Sequence, residues 1–466
     1  MTRLVPNENN AYEDFLRNKH KTRIKAGFEC PDELLNPNLF DFQRDILKWA
    51  LRKGRAALFE DTGLGKTLQQ LSFADAVVKK LHAKVLILAP LAVSKQTHLE
   101  GLKFGIKTKV VEDDSEVIDG INITNYEKIH KFDTNQFDCV ILDESSILKS
   151  YTGKTTNDLL ERFRRTPYKL CCTATPSPND YTEIGTTAEF LGVMNRTEML
   201  ATFFINDASS GDGWRLKGHS EMEFFKWMAE WSMMISSPAN LGYDGSKYNL
   251  PKLNITKHIV KAEVMPGEGL FVEYAETLEE RRKARKLSLD ARVEEVKALV
   301  DKMDSCLIWC DFNDESAALK KAIPQSYEIK GSDTPEHKEK GMLGFADGSV
   351  KYLVSKPSIC GFGMNWQNSN NMIFCGLSDS YEQFYQAIRR EYRFGQTKEV
   401  NVHIIISERE MNVLKNIEAK EKAHLKIKSS MLEVMNSISI AEINNQDVMD
   451  DDYDPKVDMI LPGFLN

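Results

Sequence analysis

The most constraining feature of this 466-residue chain is Asp61-Thr62-Gly63-Leu64-Gly65-Lys66-Thr67. It lies between a short apolar run (Leu58-Phe59-Glu60) and a helical stretch beginning Leu68-Gln69-Gln70-Leu71. A buried strand that turns through glycines straight into a helix fits a parallel α/β sheet, in which helices carry the chain back between strands. Glycines let the backbone curl so that its N–H groups face one point, and the helix N-terminus adds its positive dipole end there. That geometry suits a phosphate. Lys66 would reach the β- and γ-phosphates of a nucleotide, the Thr67 hydroxyl would bind magnesium, and Thr62, Gly63 and Gly65 would line the cradle. The strict pattern has a glycine where this chain has Glu60, and a bare Gly-Lys-Thr also occurs in ordinary loops. The strand–loop–helix setting favours the phosphate reading.

The rest of the chain repeats the same alternation. Strand-like runs at Lys84–Ala89, Ile121–Thr124, Cys139–Leu142 and Lys169–Thr173 are separated by helical stretches. The rhythm breaks near Asn195. There SSGDGWRLKGHS reads as a loop and Glu221–Ile235 as a Met- and aromatic-rich helix. A second alternating region follows, with strands at Cys306–Cys310, Lys351–Ser355, Asn371–Cys375 and Val400–Ile406. The length allows two to four domains at roughly 150 residues each. The simplest organisation is an extension over 1–38, a first lobe over 39–194, an insertion or linker over 195–286, a second lobe over 287–407 and a helical, acidic end over 408–466.

Hydrophobic residues at 42% and charged residues at 28% exclude a disordered or collagen-like chain. The longest apolar run, Lys84–Val93, is shorter than the roughly 20 residues that cross a bilayer. The opening MTRLVPNENNAYEDF lacks an apolar signal core, so a soluble, cytoplasmic protein is expected. The net charge of −8 excludes a histone-like positive coat but leaves room for a local basic groove. Eight cysteines without a CxxC pair, five of them inside apolar runs, read as reduced structural thiols rather than zinc ligands.

A second element bears on chemistry. Val140-Ile141-Leu142-Asp143-Glu144 is an apolar strand ending in two carboxylates. At the C-terminal edge of a parallel sheet these would lie beside the phosphate loop. Asp143 would hold magnesium, and Glu144 would polarise the attacking water as general base. Solvated acids at a strand end are common by themselves. After a phosphate loop they point to nucleoside-triphosphate hydrolysis.

With these motifs read, the chain resembles helicase superfamily two, most closely its Swi/Snf-type translocase branch, over roughly residues 39–407. Short phage-encoded members match its size and ends best. The resemblance implies two RecA-like parallel-sheet lobes in tandem with a mainly helical insertion between them, and a nucleic-acid-dependent ATPase using ATP and Mg2+. Phe40-Asp41-Phe42-Gln43 is similar to the family's adenine-reading motif, with the Gln43 amide on the base. Leu88-Ala89-Pro90-Leu91 and Ile123-Thr124-Asn125-Tyr126-Glu127 resemble motifs that touch the nucleic-acid backbone, which implies contacts at Pro90, Thr124 and Asn125. Thr173-Ala174-Thr175-Pro176 resembles the motif coupling the ATP site to the track, its hydroxyls expected on Asp143 or Glu144.

In the second half, Leu307-Ile308-Trp309-Cys310-Asp311-Phe312 and Gly361-Phe362-Gly363-Met364-Asn365-Trp366 resemble second-lobe motifs. They imply nucleic-acid contacts at Phe312 and Trp366 and close nucleotide approach at Gly363. Cys360 stands where the family often has a further glycine. Gln386-Ala387-Ile388-Arg389-Arg390-Glu391-Tyr392-Arg393-Phe394-Gly395-Gln396 is similar to the family's arginine motif. Read as one helix, it puts Arg390 and Arg393 on a shared face, where they would reach the γ-phosphate as arginine fingers in cis. Gln386 would help couple the lobes, and Arg389 is given no catalytic role.

Several segments carry two readings. Trp214, Arg215, Lys217 and His219 fit either a nucleic-acid contact or a surface loop. The stripe Phe224, Trp227, Met228, Trp231 and Ile235 reads as core before it reads as a strand-separating wedge. Glu279–Lys286 reads as a solvated helix face, and the acidic end as a tail or lobe brace. The expected partner is double-stranded or branched DNA, met by a monomer, with a protein partner able to use the insertion or the tail. Three functions compete: a duplex-DNA translocase, a strand-separating or branch-migrating helicase acting on DNA or RNA, and a nucleotide-gated adaptor without motor activity.

Overall fold

The computed structural model describes residues 27–91, 93–177, 180–207, 213–261, 278–360 and 364–443. The basic cluster Arg17–Lys25, the glycines Gly361 and Gly363 and the acidic stretch after Gln446 lie outside them. Two all-parallel sheets form the core of two lobes. In the first, strands β1 (Arg55–Glu60), β2 (Val85–Ala89), β4 (Ile121–Asn125), β5 (Cys139–Asp143) and β6 (Tyr168–Thr173) match the expected runs, and β3 (Thr108–Val110) is a short edge strand outside them. A two-stranded antiparallel ribbon follows, β7 (Phe204–Asn206) with β8 (Trp214–Leu216), and then β9 (Ser232–Ile235). The first sheet runs β3-β4-β2-β5-β6-β1-β9. Its order places β1, which carries the glycine loop, beside β6, and β6 beside β5, which carries the two acids.

Burial explains the strands. Ile87, Ile123, Ile141, Leu170 and Met233 share one core with the helices Asp41–Lys53 and Lys66–Leu81. Their chain neighbours Leu86, Leu88, Val140, Leu142, Cys171 and Met234 enter the core on the other face. A strand covered on both faces reads as a continuous apolar run, and these do.

That rule corrects the reading of Glu221–Ile235. The helix stops at Ala229, and Ser232–Ile235 is the seventh strand, paired in parallel with β1 through Ala57↔Ser232 to Glu60↔Ile235. Phe224, Trp227, Met228, Trp231 and Ile235 are all buried, so the stripe is core. The segment 195–286 is therefore not one helical insertion. Its first part completes the first lobe, and its β10 (Leu253–Val260) belongs to the second sheet, paired with the strand Val400–Ser407. The remaining strands are β11 (Cys306–Trp309), β12 (Tyr327–Glu328), β13 (Tyr352–Ser355), β14 (Asn371–Cys375) and β15 (Val400–Ser407), in the order β10-β15-β14-β11-β13-β12.

The C-terminal helix Met411–Ile443 leaves the second lobe and returns to the first, where Met431 and Met435 are buried in its core. All eight cysteines are buried and unpaired, as expected of structural thiols. Among the described residues no helix is long and apolar enough to cross a membrane.

The charged helix Leu278–Leu287 is not solvated all round. Arg285 is buried, with Nε and Nη2 donating to the Glu315 carboxylate at 3.1 and 3.2 Å and Nη1 to Asp311 at 2.9 Å. Arg292 donates to the same Glu315 at 2.7 Å and to the Cys375 carbonyl at 2.8 Å. Burial alone would raise the Glu315 pKa, but the two guanidinium groups outweigh it and hold the carboxyl below its usual range. Removing one partner of such a buried cluster leaves charge unpaired in a low dielectric. Glu315→Ala is expected to destabilise the second lobe by about 3–5 kcal/mol, read as a lowered urea midpoint.

Candidate nucleotide and catalytic cleft

Lobe one supplies the cradle. Gly63 and Gly65 have φ of 92° and 82°, a conformation that side chains rarely adopt, and Gly65 caps the Lys66–Leu81 helix. A Cβ on Gly65 would sit 2.3 Å from Gln43 Nε2, so any larger residue there would displace that amide as well as strain the backbone. Gln43 is buried and ties the two motifs together: Oε1 accepts from the Phe40 N–H at 2.9 Å, and Nε2 donates to the Leu64 carbonyl at 2.7 Å. Lys66 Nζ donates to the carbonyls of Glu60 and Asp61 at 2.7 and 3.0 Å. It must leave them to reach a phosphate. Glu60, where the strict pattern has glycine, is fully buried with Oε2 on Gln69 Nε2 at 2.7 Å, and burial pushes it up to about 7.

The carboxylate pair sits at the end of β5. Asp143 Oδ1 accepts from Gln70 Nε2 at 2.6 Å, and its carbonyl from the Tyr126 hydroxyl at 2.6 Å. Glu144 follows at φ 52° and ψ 54°, an uncommon place for a residue with a side chain, held there as the chain enters the short helix Ser145–Lys149. Burial raises both carboxyls, and the charge of Asp143 adds to the effect on Glu144, which reaches about 7.

Lobe two supplies the cations. Arg390 is buried and bonded to Gln386 through Nε (3.0 Å to the carbonyl) and Nη2 (3.0 Å to Oε1). Its Nη1 and Arg393 Nη1 share the Met364 carbonyl at 3.1 and 3.2 Å. The helix here, Tyr381–Ile388, ends before either arginine. The shared helix face expected from sequence is thus corrected: the pair is presented by the turns after the helix and aligned by Met364. Burial, then the charge of Arg393, lowers Arg390 to about 10, while the fields of Glu144 and Asp143 act in the opposite sense. Arg393 is also lowered by burial and faces Glu100 and Glu144.

Two buried cations that repel each other and two buried carboxyls that repel each other mark a site built for further charges. Thr62 Oγ1, Gln70 Oε1, Glu144 Oε2, Ser145 Oγ and Arg393 Nε are buried without a hydrogen-bond partner. Such atoms suit a polyanion with a hard cation: Asp143 and Thr67 could hold magnesium, and the loop N–H groups, Lys66 and the arginines could hold phosphate oxygens.

Residues 42–204 match the SNF2-related domain, and residues 291–395 match the helicase conserved C-terminal domain. The chain belongs to the Swi/Snf-type ATPases of helicase superfamily two. It is 24% identical to the SWI/SNF-related matrix-associated actin-dependent regulator of chromatin subfamily A-like protein 1 of Xenopus tropicalis, over 81% of this chain and 43% of that protein. The Drosophila melanogaster protein of the same name is also 24% identical, over 80% and 53%. The chain thus spans about half the length of these relatives. A solved structure described as the Sulfolobus solfataricus SWI2/SNF2 ATPase core in complex with dsDNA has a TM-score of 0.42 at 19% identity, covering 88% of this chain and 97% of that one.

In this Swi/Snf-type ATPase the other expected positions divide. Trp366 is corrected: it is fully buried against Trp309 and Phe345, with Nε1 on the Met342 carbonyl at 3.1 Å, and cannot meet nucleic acid. Thr124 and Asn125 are buried as well, and Asn125 is spent capping a turn through the Glu127 N–H. Pro90 and Phe312 are half-buried, the latter under the Arg285 guanidinium at 4.5 Å. The Thr173 hydroxyl accepts the Thr175 N–H at 3.1 Å, so it faces its own turn, while Thr175 Oγ1 stays buried and unpartnered. Gly363 falls outside the described residues. Lys217, offered as a nucleic-acid contact, donates to the carbonyls of Ala201 and Thr202, and Arg215 pairs with Asp207.

The raised Glu144 gives a pH signature. The carboxylate is the form that can accept a proton, so kcat/KM for ATP is expected to fall as pH drops through about 7. A pH–rate profile checks it; a rate flat from pH 8 to 5.5 contradicts the assignment.

Proposed function

We propose that this chain is a DNA-dependent ATPase that couples ATP hydrolysis to movement along, or remodelling of, duplex or branched DNA. The observation that carries the reading is the convergence, from two lobes, of a phosphate loop, an Asp-Glu pair and two buried arginines with unspent polar atoms between them. Lys66 would leave the Glu60 and Asp61 carbonyls for the β- and γ-phosphates. Glu144 would take the proton of the attacking water, and Arg390 and Arg393 would offset the charge growing on the γ-phosphoryl oxygens. Asp143 and the Thr67 hydroxyl would hold magnesium, which would supply positive charge to offset that of the phosphates. Because the parts come from two lobes, catalysis requires closure, and release of closure can move whatever both lobes grip.

The chromatin regulators among the relatives favour duplex DNA as the track. Among the described residues the aromatic stripe at Phe224–Ile235, the candidate wedge, is core, which weighs against strand separation. A passive adaptor has no use for buried, mutually repelling catalytic charges. The test is displacement of a third strand from a triplex laid on plain duplex, beside unwinding of a forked duplex. ATP-dependent triplex displacement without fork unwinding is expected; fork unwinding without triplex displacement would favour the strand-separating helicase.

A further inference from the structure

Asp61, the first residue of the phosphate loop, has a role that its place in the motif does not suggest. Among the described residues its carboxylate is met from the far half of the chain. Oδ1 accepts from the Tyr385 hydroxyl at 2.6 Å, Oδ2 accepts from Lys428 Nζ at 2.6 Å, and Arg389 Nη2 lies 3.8 Å away. Tyr385 is on the helix that opens the arginine motif and Arg389 caps that helix within the motif, whereas Lys428 is on the returning C-terminal helix. The Arg389 guanidinium lies over the rings of Tyr385 and Tyr392, at 5.0 and 5.4 Å, which fixes its direction. One turn before Lys428, the buried His424 ring packs on Tyr381 and Tyr385 at 5.4 and 5.8 Å.

A second contact completes the pattern. A Cβ on Gly63 would lie 2.8 Å from both the N and the Cβ of Phe394, so the far end of the arginine motif rests on the same loop. The segment from Arg389 to Phe394 is thereby pinned at both ends, to Asp61 and to Gly63, with Arg390 and Arg393 between the pins. The Asp61 carbonyl also accepts Lys66 Nζ. One residue thus touches the lysine of lobe one and fixes the arginines of lobe two.

We propose that Asp61 is a positioning residue, a latch on which Tyr385, Arg389 and Lys428 close to hold the arginine turn in register with the phosphate loop. The inference rests on the ATPase reading, because its consequence is for turnover. Arg389, silent in the sequence motif, acts through the latch, and Lys428 makes the C-terminal helix part of the catalytic geometry without touching the nucleotide. Misplacement of a catalytic group by about 1 Å can cost about 100-fold in rate; loss of one of several pins is expected to cost about tenfold.

The test uses the full chain. Lys428→Met and Asp61→Asn are each expected to lower kcat about tenfold with KM for ATP little changed, and the double variant to be no worse than the poorer single one, as for residues acting as one unit. Tyr385→Phe, which keeps the ring, lowers kcat in the same direction should a charge variant fold poorly, and Lys428→Arg recovers most of the rate. A second readout needs no turnover. Labels at the exposed Lys80→Cys and Lys340→Cys, selective because the native cysteines are buried, report the distance between lobes. In the nucleotide-free protein that distance is expected to lengthen or broaden with Lys428→Met. Unchanged kcat in Lys428→Met and Tyr385→Phe, independent losses that multiply, or unchanged interlobe distances would overturn the latch. If the wild type itself shows no hydrolysis sensitive to Glu144→Gln, the ATPase reading fails instead.

Discussion

Glu144→Gln is expected to lower ATP turnover by about 10³-fold while leaving nucleotide affinity within about threefold, since a positioned general base contributes roughly 10²–10⁴. The expectation follows from where the chain puts the carboxylate. It stands at the end of β5 in a left-handed backbone conformation, buried, with one oxygen lacking any partner and its pKa raised to about 7. Glutamine keeps the shape and the hydrogen-bonding reach but cannot accept the proton. Burial at that site also loses its electrostatic cost, so the variant should fold at least as well as the wild type. Binding is measured with a fluorescent ATP analogue and turnover by phosphate release. Intact turnover would remove Glu144 from the chemistry.

Arg393→Ala should have a comparable effect, about 10³-fold on kcat with ATP binding largely kept, the scale of an arginine finger. Arg393 is the cleaner probe of the pair. Arg390 makes three hydrogen bonds, to both oxygens of Gln386 and to the Met364 carbonyl, and its loss would loosen the second lobe as well. Arg393 makes one, and its Nε is unpartnered. Lysine at 393 is not expected to rescue, because a point charge does not reproduce the planar fork. Lost binding with intact turnover would contradict the finger role and make Arg393 a nucleotide anchor.

What the sequence made legible was local. The loop from Asp61 to Thr67 and the acids Asp143 and Glu144 could be read because strand end, glycines and charged residues follow one another along a few positions. The alternation of buried strands with helices was equally readable, and both parallel sheets follow it. What failed was where a local pattern had two physical origins. Ser232–Ile235 continues the helical spacing of Phe224 and Trp227, yet a short apolar run buried on both faces is a strand just as readily. Trp366, next to glycines, looked like an exposed contact but fills the second core between Trp309 and Phe345. Arg285 sits in a run of charges whose spacing gives no sign that Glu315, thirty residues on, takes it inside. The Asp61 contacts were beyond reach for the same reason: Tyr385 and Lys428 are 324 and 367 residues away in sequence.

The central claim is that the two-lobe cleft hydrolyses ATP in response to DNA. It is tested most directly by steady-state phosphate release without nucleic acid and with single-stranded DNA, plain duplex, forked duplex and RNA, with Glu144→Gln as the blank. Strong stimulation by plain duplex, absent in Glu144→Gln, is the predicted result. A Glu144-dependent rate that no nucleic acid changes would contradict the motor and leave an ATPase governed by something other than DNA.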